Sequence, residues 1–463
     1  MQLCSELAND GSGEVFTQVG NSYIWAKVAQ LDMHPSASLV YETAMSLLQE
    51  TLAFCPTLQT QHLRLAHSVM VGELPLDYAL YQIENGQVKQ AVETLERGRA
   101  LIWSEMRGLR NSTDHLCAAN PALADKFADI NWKLKAVTTS IALSNDDKRI
   151  GRSEGFHEDL IGHLVLTQRR LLEERNTLIS HIQVFPGFEN FLKPLSFDAL
   201  DSAVACGPVI IINATRSCFP SFILILLRDL PPSFISTPSD FNDRSKQLMD
   251  QLLRVQKGKG LDSNDYILTL ASVLTDLYEL VGRPVLNRLH ELKVQEKSRV
   301  WWCPTGAFCS LPLHAMGPIP LDDGNELYFS DLFIPSYTPT LAALIKSQKH
   351  GPSSEAYNIS KPLILLVAQP DTLPGVFDEI KAIQTAKTPV TTLISAMATP
   401  ETVIEGIREH RFAHFVCHGL LEIGKPFNAS LKLHKDDLTL LAPISTPRGR
   451  ICFPCCLSHC RAD

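Results

Sequence analysis

The feature that most constrains this chain is a change of hydrophobic rhythm near residue 198. Beyond it, apolar residues gather in short runs with almost no polar break: Val209-Ile-Ile-Ile212, Phe222-Ile-Leu-Ile-Leu-Leu227, Val300-Trp-Trp302, Leu363-Ile-Leu-Leu-Val-Ala368 and Phe412-Ala-His-Phe-Val-Cys417. A strand with one wet face alternates apolar and polar residues, so unbroken runs of this length read as strands buried on both faces. The stretches between them, 245–255, 267–292, 340–347, 376–385 and 399–409, carry helical spacing. The last opens on Thr399-Pro400-Glu401, a threonine N-cap, a proline at the first helical position and an acid in the first turn. Alternation of this kind predicts an α/β region with a mostly parallel sheet, in which 209–212, 363–368 and 412–417 lie side by side between helices.

Before residue 198 the rhythm is helical almost throughout from about 35 to 185. Asp77-Tyr-Ala-Leu-Tyr-Gln-Ile-Glu-Asn-Gly86 reads as a helix ending on an Asn-Gly stop, and Val88, Ala91, Val92, Leu95 and Ile102 mark the apolar face of the next. So short a turn makes a helical hairpin, the unit that stacks into tetratricopeptide-type solenoids, although any helical bundle contains similar pairs. Asn120-Pro121 opens another helix, 157–184 a further one, and Phe185-Pro-Gly-Phe188 breaks it. The domain division expected is therefore a helical, tetratricopeptide-like region over 1–195 and an α/β domain over 198–463.

A length of 463 residues with 45% hydrophobic content supports more than one core. The net charge of -8 is spread without a long run of either sign, which argues against nucleic acid as a partner and against a polybasic membrane patch. The first ten residues lack the basic and apolar regions of a signal peptide, and no apolar stretch approaches a membrane span. Twelve cysteines scattered in apolar contexts fit reduced thiols. Together these predict a soluble, cytoplasmic protein. Lys257-Gly-Lys-Gly260 lacks the spacing of a phosphate loop, so no cofactor is expected.

The candidate for chemistry is His418, which closes the apolar run His414-Phe-Val-Cys-His418 and is followed at once by Gly419. The end of a parallel strand is where a sheet exposes side chains to a ligand crevice, and a glycine there lets the chain turn away from the imidazole. His410, His414 and His418 recur every fourth position, but they straddle a helix end and a strand, so a shared metal face is not expected. Cys417 should point to the face opposite His418 as a small buried hydrophobe, and Trp103, Trp301 and Trp302 should be core aromatics.

Several blocks together resemble the CHAT family, caspase-like domains attached to tetratricopeptide repeats and frequent in fungal multidomain proteins. They are Leu95-Glu-Arg-Gly-Arg-Ala-Leu-Ile-Trp103, Val300-Trp-Trp-Cys-Pro-Thr-Gly306, Ser310-Leu-Pro-Leu-His-Ala315, Ser336-Tyr-Thr-Pro-Thr-Leu341 and His414-Phe-Val-Cys-His-Gly419. The resemblance implies a cysteine endopeptidase acting on a protein or peptide substrate, with His418 as general base and acid, and a protein partner bound through the helical repeats. It also implies a cysteine on the next core strand, in a Leu-Ser-Ala-Cys-x-Thr-Ala motif.

That motif is missing from the tail, Cys452-Phe-Pro-Cys-Cys456-Leu-Ser-His-Cys460-Arg-Ala-Asp463. Zinc ligation by its cysteines and His459 lacks a second, well-separated ligand pair, so no metal is expected. A divergent nucleophile at Cys456 or Cys460 needs a strand that Pro454 interrupts. A shifted reading frame is the reading favoured. With suitable synonymous codons, residues 455–462 displaced by one base read Ala-Ala-Cys-His-Thr-Ala, close to the family motif. On this reading the chain as written is truncated, its tail packs poorly, and it is inactive. The alternative is a non-catalytic tetratricopeptide scaffold or pseudo-protease signalling module that binds a partner protein.

Overall fold

The computed structural model describes residues 15–53, 69–149, 154–216, 219–260, 263–320, 326–349, 364–371, 373, 375–385, 389–410, 412–420, 429–439 and 460–461. Its first part is helical, as the periodicity implies. Three hairpins follow one another: α1 (Val15–Leu31) with α2 (Ala37–Ala53), α3 (Val69–Glu84) with α4 (Val88–Ala119), and α5 (Pro121–Arg149) with α6 (Glu154–Gln183). The first helix begins well ahead of residue 35. It is apolar on most sides rather than along one stripe, which hides it from a search for amphipathic period. Between α3 and α4 the chain turns at Gly86, whose φ of 75° is the left-handed conformation of a helix stop. None of the described helices is long and apolar enough to cross a membrane.

The rest is mixed α/β. After the short α7 (Phe197–Leu200) come β1 (Val209–Asn213), β2 (Phe222–Leu226) and β3 (Ser233–Ser236). The helices α8 (Phe241–Lys259), α9 (Asn264–Leu277) and α10 (Arg283–Glu291) precede β4 (Arg299–Cys303). A two-stranded ribbon, β5 (Ile319–Pro320) and β6 (Glu326–Leu327), is followed by α11 (Phe329–Leu332), β7 (Ile334–Tyr337) and α12 (Leu341–Lys349). Strands β1–β4 and β7 form a five-stranded sheet in the order β3-β2-β1-β4-β7, antiparallel from β3 to β1 and parallel from β1 to β7.

Its unbroken apolar strands have the cause anticipated, two covered faces. Ile210 and Ile212 of β1, with Ile223 and Ile225 of β2, pack against α8, α9 and α10 through Leu248, Val273, Val285 and Leu289. Val209, Ile211, Phe222 and Leu224, on the other face, pack against Ala79, Leu80, Ala91, Val92 and Leu95 of the α3–α4 hairpin and Leu344 of α12. One core thus draws on both the helical region and the sheet. Each fully buried Leu, Val or Ile in it contributes roughly 1.5–3 kcal/mol. The hairpin itself closes at Gly98, where a Cβ would stand 2.3 Å from that of Pro75.

A second sheet follows, of β8 (Ile364–Ala368), β9 (Val390–Ile394) and β10 (Phe412–Val416), all parallel, in the order β10-β8-β9. Helix α13 (Val376–Thr385) covers one face through Val376 and Ile380, and α14 (Pro400–Glu409) covers the other through Val403 and Ile407. The Thr399 hydroxyl caps α14 by accepting the Thr402 N–H, as its sequence implied. The chain then enters a four-stranded sheet ordered β13-β12-β11-β14, from β11 (Gly419–Leu420), β12 (Ser430–Lys432), β13 (Asp437–Thr439) and β14 (Cys460–Arg461).

One expectation needs correction. Strands 364–368 and 412–416 are neighbours, but 209–213 lies in a different sheet, between β2 and β4. The short connection from β1 to β2 allows an antiparallel hairpin, and sequence neighbours joined so closely usually pair. The sheets are accordingly parallel in part rather than one mostly parallel sheet.

Candidate active site

Because β8, β9 and β10 run parallel, their carboxyl ends share one edge, the position at which α/β sheets offer a crevice. Gln369 ties this edge together: its backbone N–H donates to Val416 O at 3.0 Å, and its side-chain Nε2 donates to Ser395 O at 3.4 Å. Ser395, just past β9, has a φ of 49°, an uncommon conformation for a residue with a Cβ. His418 stands just past β10 on this edge, between the parallel sheet and β11, and its carbonyl accepts the Lys432 N–H at 2.8 Å. The sequence places this ring at the carboxyl edge and partly exposed in a crevice; the position just past β10 is observed, but the residue is buried rather than open to a crevice. The His418 side chain is more enclosed than a strand-end residue need be, with the residue 8% exposed.

The neighbouring histidines do not join it. His410 ends α14, with Nδ1 2.8 Å from Gly406 O and Nε2 2.8 Å from Thr391 Oγ1. A neutral ring there carries its proton on Nδ1 and accepts from the threonine hydroxyl, linking α14 to β9. His414 Nε2 lies 2.8 Å from a Glu379 carboxylate oxygen, so it holds α13 against β10. Cys417 packs with the α14 face, and burial pushes its thiol up to about 12, which keeps it protonated and inert.

Of the two cysteines considered as nucleophile, Cys456 lies outside the described residues, as do Cys452, Cys455 and His459. The backbone of Cys460 is described. It opens β14, which pairs parallel to β11 in the register Gly419↔Cys460 and Leu420↔Arg461. Cys460 is therefore opposite the residue that follows His418. Among the described residues no cluster of His, Cys, Asp or Glu is arranged to hold a metal ion. His314 is exposed and bonded to Tyr337, whose hydroxyl is 2.9 Å from Nδ1 and accepts the His314 N–H at 3.0 Å.

The charged residues of Leu95-Glu-Arg-Gly-Arg99 join α4 to distant parts of the chain. Glu96, 6% exposed, accepts the N–H groups of Leu341 and Ala342 at 2.9 Å each, so a carboxylate from α4 caps the positive end of α12. Arg99 donates to Ile212 O at 3.2 Å and Cys303 O at 2.7 Å, joining the carboxyl ends of β1 and β4, and also contacts the Cys303 thiol. Burial pushes that thiol up to about 11 in spite of the guanidinium, which acts to lower it. Arg97 turns the other way, to Glu42 at 2.8 Å and Gln49 at 2.9 Å.

A second joint lies alongside. Glu73 of α3 takes the Thr215 hydroxyl at 2.5 Å and the Arg216 N–H at 2.6 Å, and Asp77, one turn later, meets Lys27 at 3.4 Å and the Tyr23 hydroxyl. Burial first, then the Asp77 charge, raise the Tyr23 pKa well above its ordinary value. No periodicity or spacing announces these side chains, because their partners, backbone and side-chain groups alike, lie tens to hundreds of residues away in the sequence.

Residues 271–444 match the CHAT domain family. The matched stretch begins in α9, ends beyond β13 and contains His418 together with the blocks at 300–306, 310–315, 336–341 and 414–419. No curated protein matches the chain.

Proposed function

We propose that the α/β part is a caspase-like CHAT domain whose peptidase centre is built on His418, with Cys460 as the thiol partner. What supports this reading is the parallel pairing of β14 with β11, in which the backbone of Cys460 is the partner of Gly419, the residue that follows His418. An imidazole within reach of a thiol draws off its proton, and the thiolate attacks a peptide carbonyl. The imidazolium then returns the proton to the leaving amine. The substrate is a protein or peptide held along the crevice, and the helical hairpins, read as tetratricopeptide-like repeats over 1–195, bind a protein partner. Cysteines 117, 206, 303, 309 and 417 are all unpaired, which fits the reducing cytoplasm.

The enclosure of His418 and the two-residue length of β14 favour a second reading, a non-catalytic scaffold or pseudo-protease signalling module. Treating the full chain with a peptidyl fluoromethyl ketone and locating the adduct by mass spectrometry separates the two. An adduct on Cys460 that disappears in His418→Ala, with the circular dichroism unchanged, supports the peptidase. A folded chain that takes no adduct, or takes it independently of His418, removes the dyad and leaves the scaffold.

A further inference from the structure

We draw no further inference here: the strongest candidate, the Asn213 carboxamide buried without a hydrogen-bond partner at the carboxyl end of β1, borders no space into which even a water molecule fits.

Discussion

Replacing Glu96 by alanine should loosen the joint between the helical region and the five-stranded sheet. The carboxylate is buried and accepts two N–H groups from the first turn of α12, and alanine leaves both donors without a partner. A hydrogen bond to a charged group is worth about 1.5–3 kcal/mol, and a charge at a helix N-terminus adds about 0.3–1 kcal/mol. The expected loss is therefore about 3–7 kcal/mol, reduced to roughly half in Glu96→Gln, whose one remaining oxygen still accepts. Urea unfolding of a full-length chain with Trp25, Trp103 and Trp132 replaced by Phe measures it, followed by the fluorescence of the remaining Trp301 and Trp302 in β4 and by helical circular dichroism. Because α3 and α4 share a core with β1 and β2, both signals should move to lower urea together. A Glu96→Ala midpoint no lower than that of an exposed control, Glu405→Ala, would refute the capping argument. A shift in the helical signal alone would refute the shared core.

Further outcomes follow from the same contacts. Gly98→Ala should cost about 1–3 kcal/mol by forcing α3 and α4 apart, read by urea midpoint, and an unchanged midpoint would refute the close approach of the two helices. Cys417 should resist iodoacetamide under mildly alkaline conditions while exposed Cys117 and Cys206 react, as counted by peptide mass mapping; equal labelling would disprove the raised pKa. Since its folded pKa lies above the unfolded value, the stability this thiol contributes is fully present below about pH 8.5, the ordinary thiol value. It is lost as pH climbs from there toward about 12, so a Cys417→Ala chain should show a flatter alkaline stability profile. Thr399→Ala should lower stability by about 1 kcal/mol through loss of the α14 cap, measured by thermal unfolding.

Much of the fold was legible before any coordinates. The apolar runs at 209–212, 222–227, 300–302, 363–368 and 412–417 became β1, β2, β4, β8 and β10, because a strand covered on both faces must be apolar at every position. The Asn85-Gly86 stop and the Thr399-Pro400 start are local chemistry, decided within a few residues of backbone, and both stand where they were read. Strand β9 escaped notice because Val390-Thr-Thr-Leu-Ile394 is half-buried along its length and carries hydroxyls, so it shows neither an unbroken run nor clean alternation. The sequence could also point to His418 at a strand end, since the glycine after it and the strand before it are its immediate neighbours.

Which strands pair, and what the motif residues touch, belonged to the tertiary structure alone. Apolarity says that a strand is covered without naming what covers it, so the separation of β1 from β8 and β10 into different sheets was invisible. Glu96 and Arg99 look like ordinary charges on a helix until α4 is laid on the sheet, where their partners become the N–H groups of α12 and the carbonyls of β1 and β4. Likewise Cys460 is one cysteine among several in the tail until the parallel pairing of β11 and β14 sets it opposite Gly419. Local propensity is read from a few consecutive residues, whereas these contacts join groups tens to hundreds of residues apart, and only the folded chain brings them together.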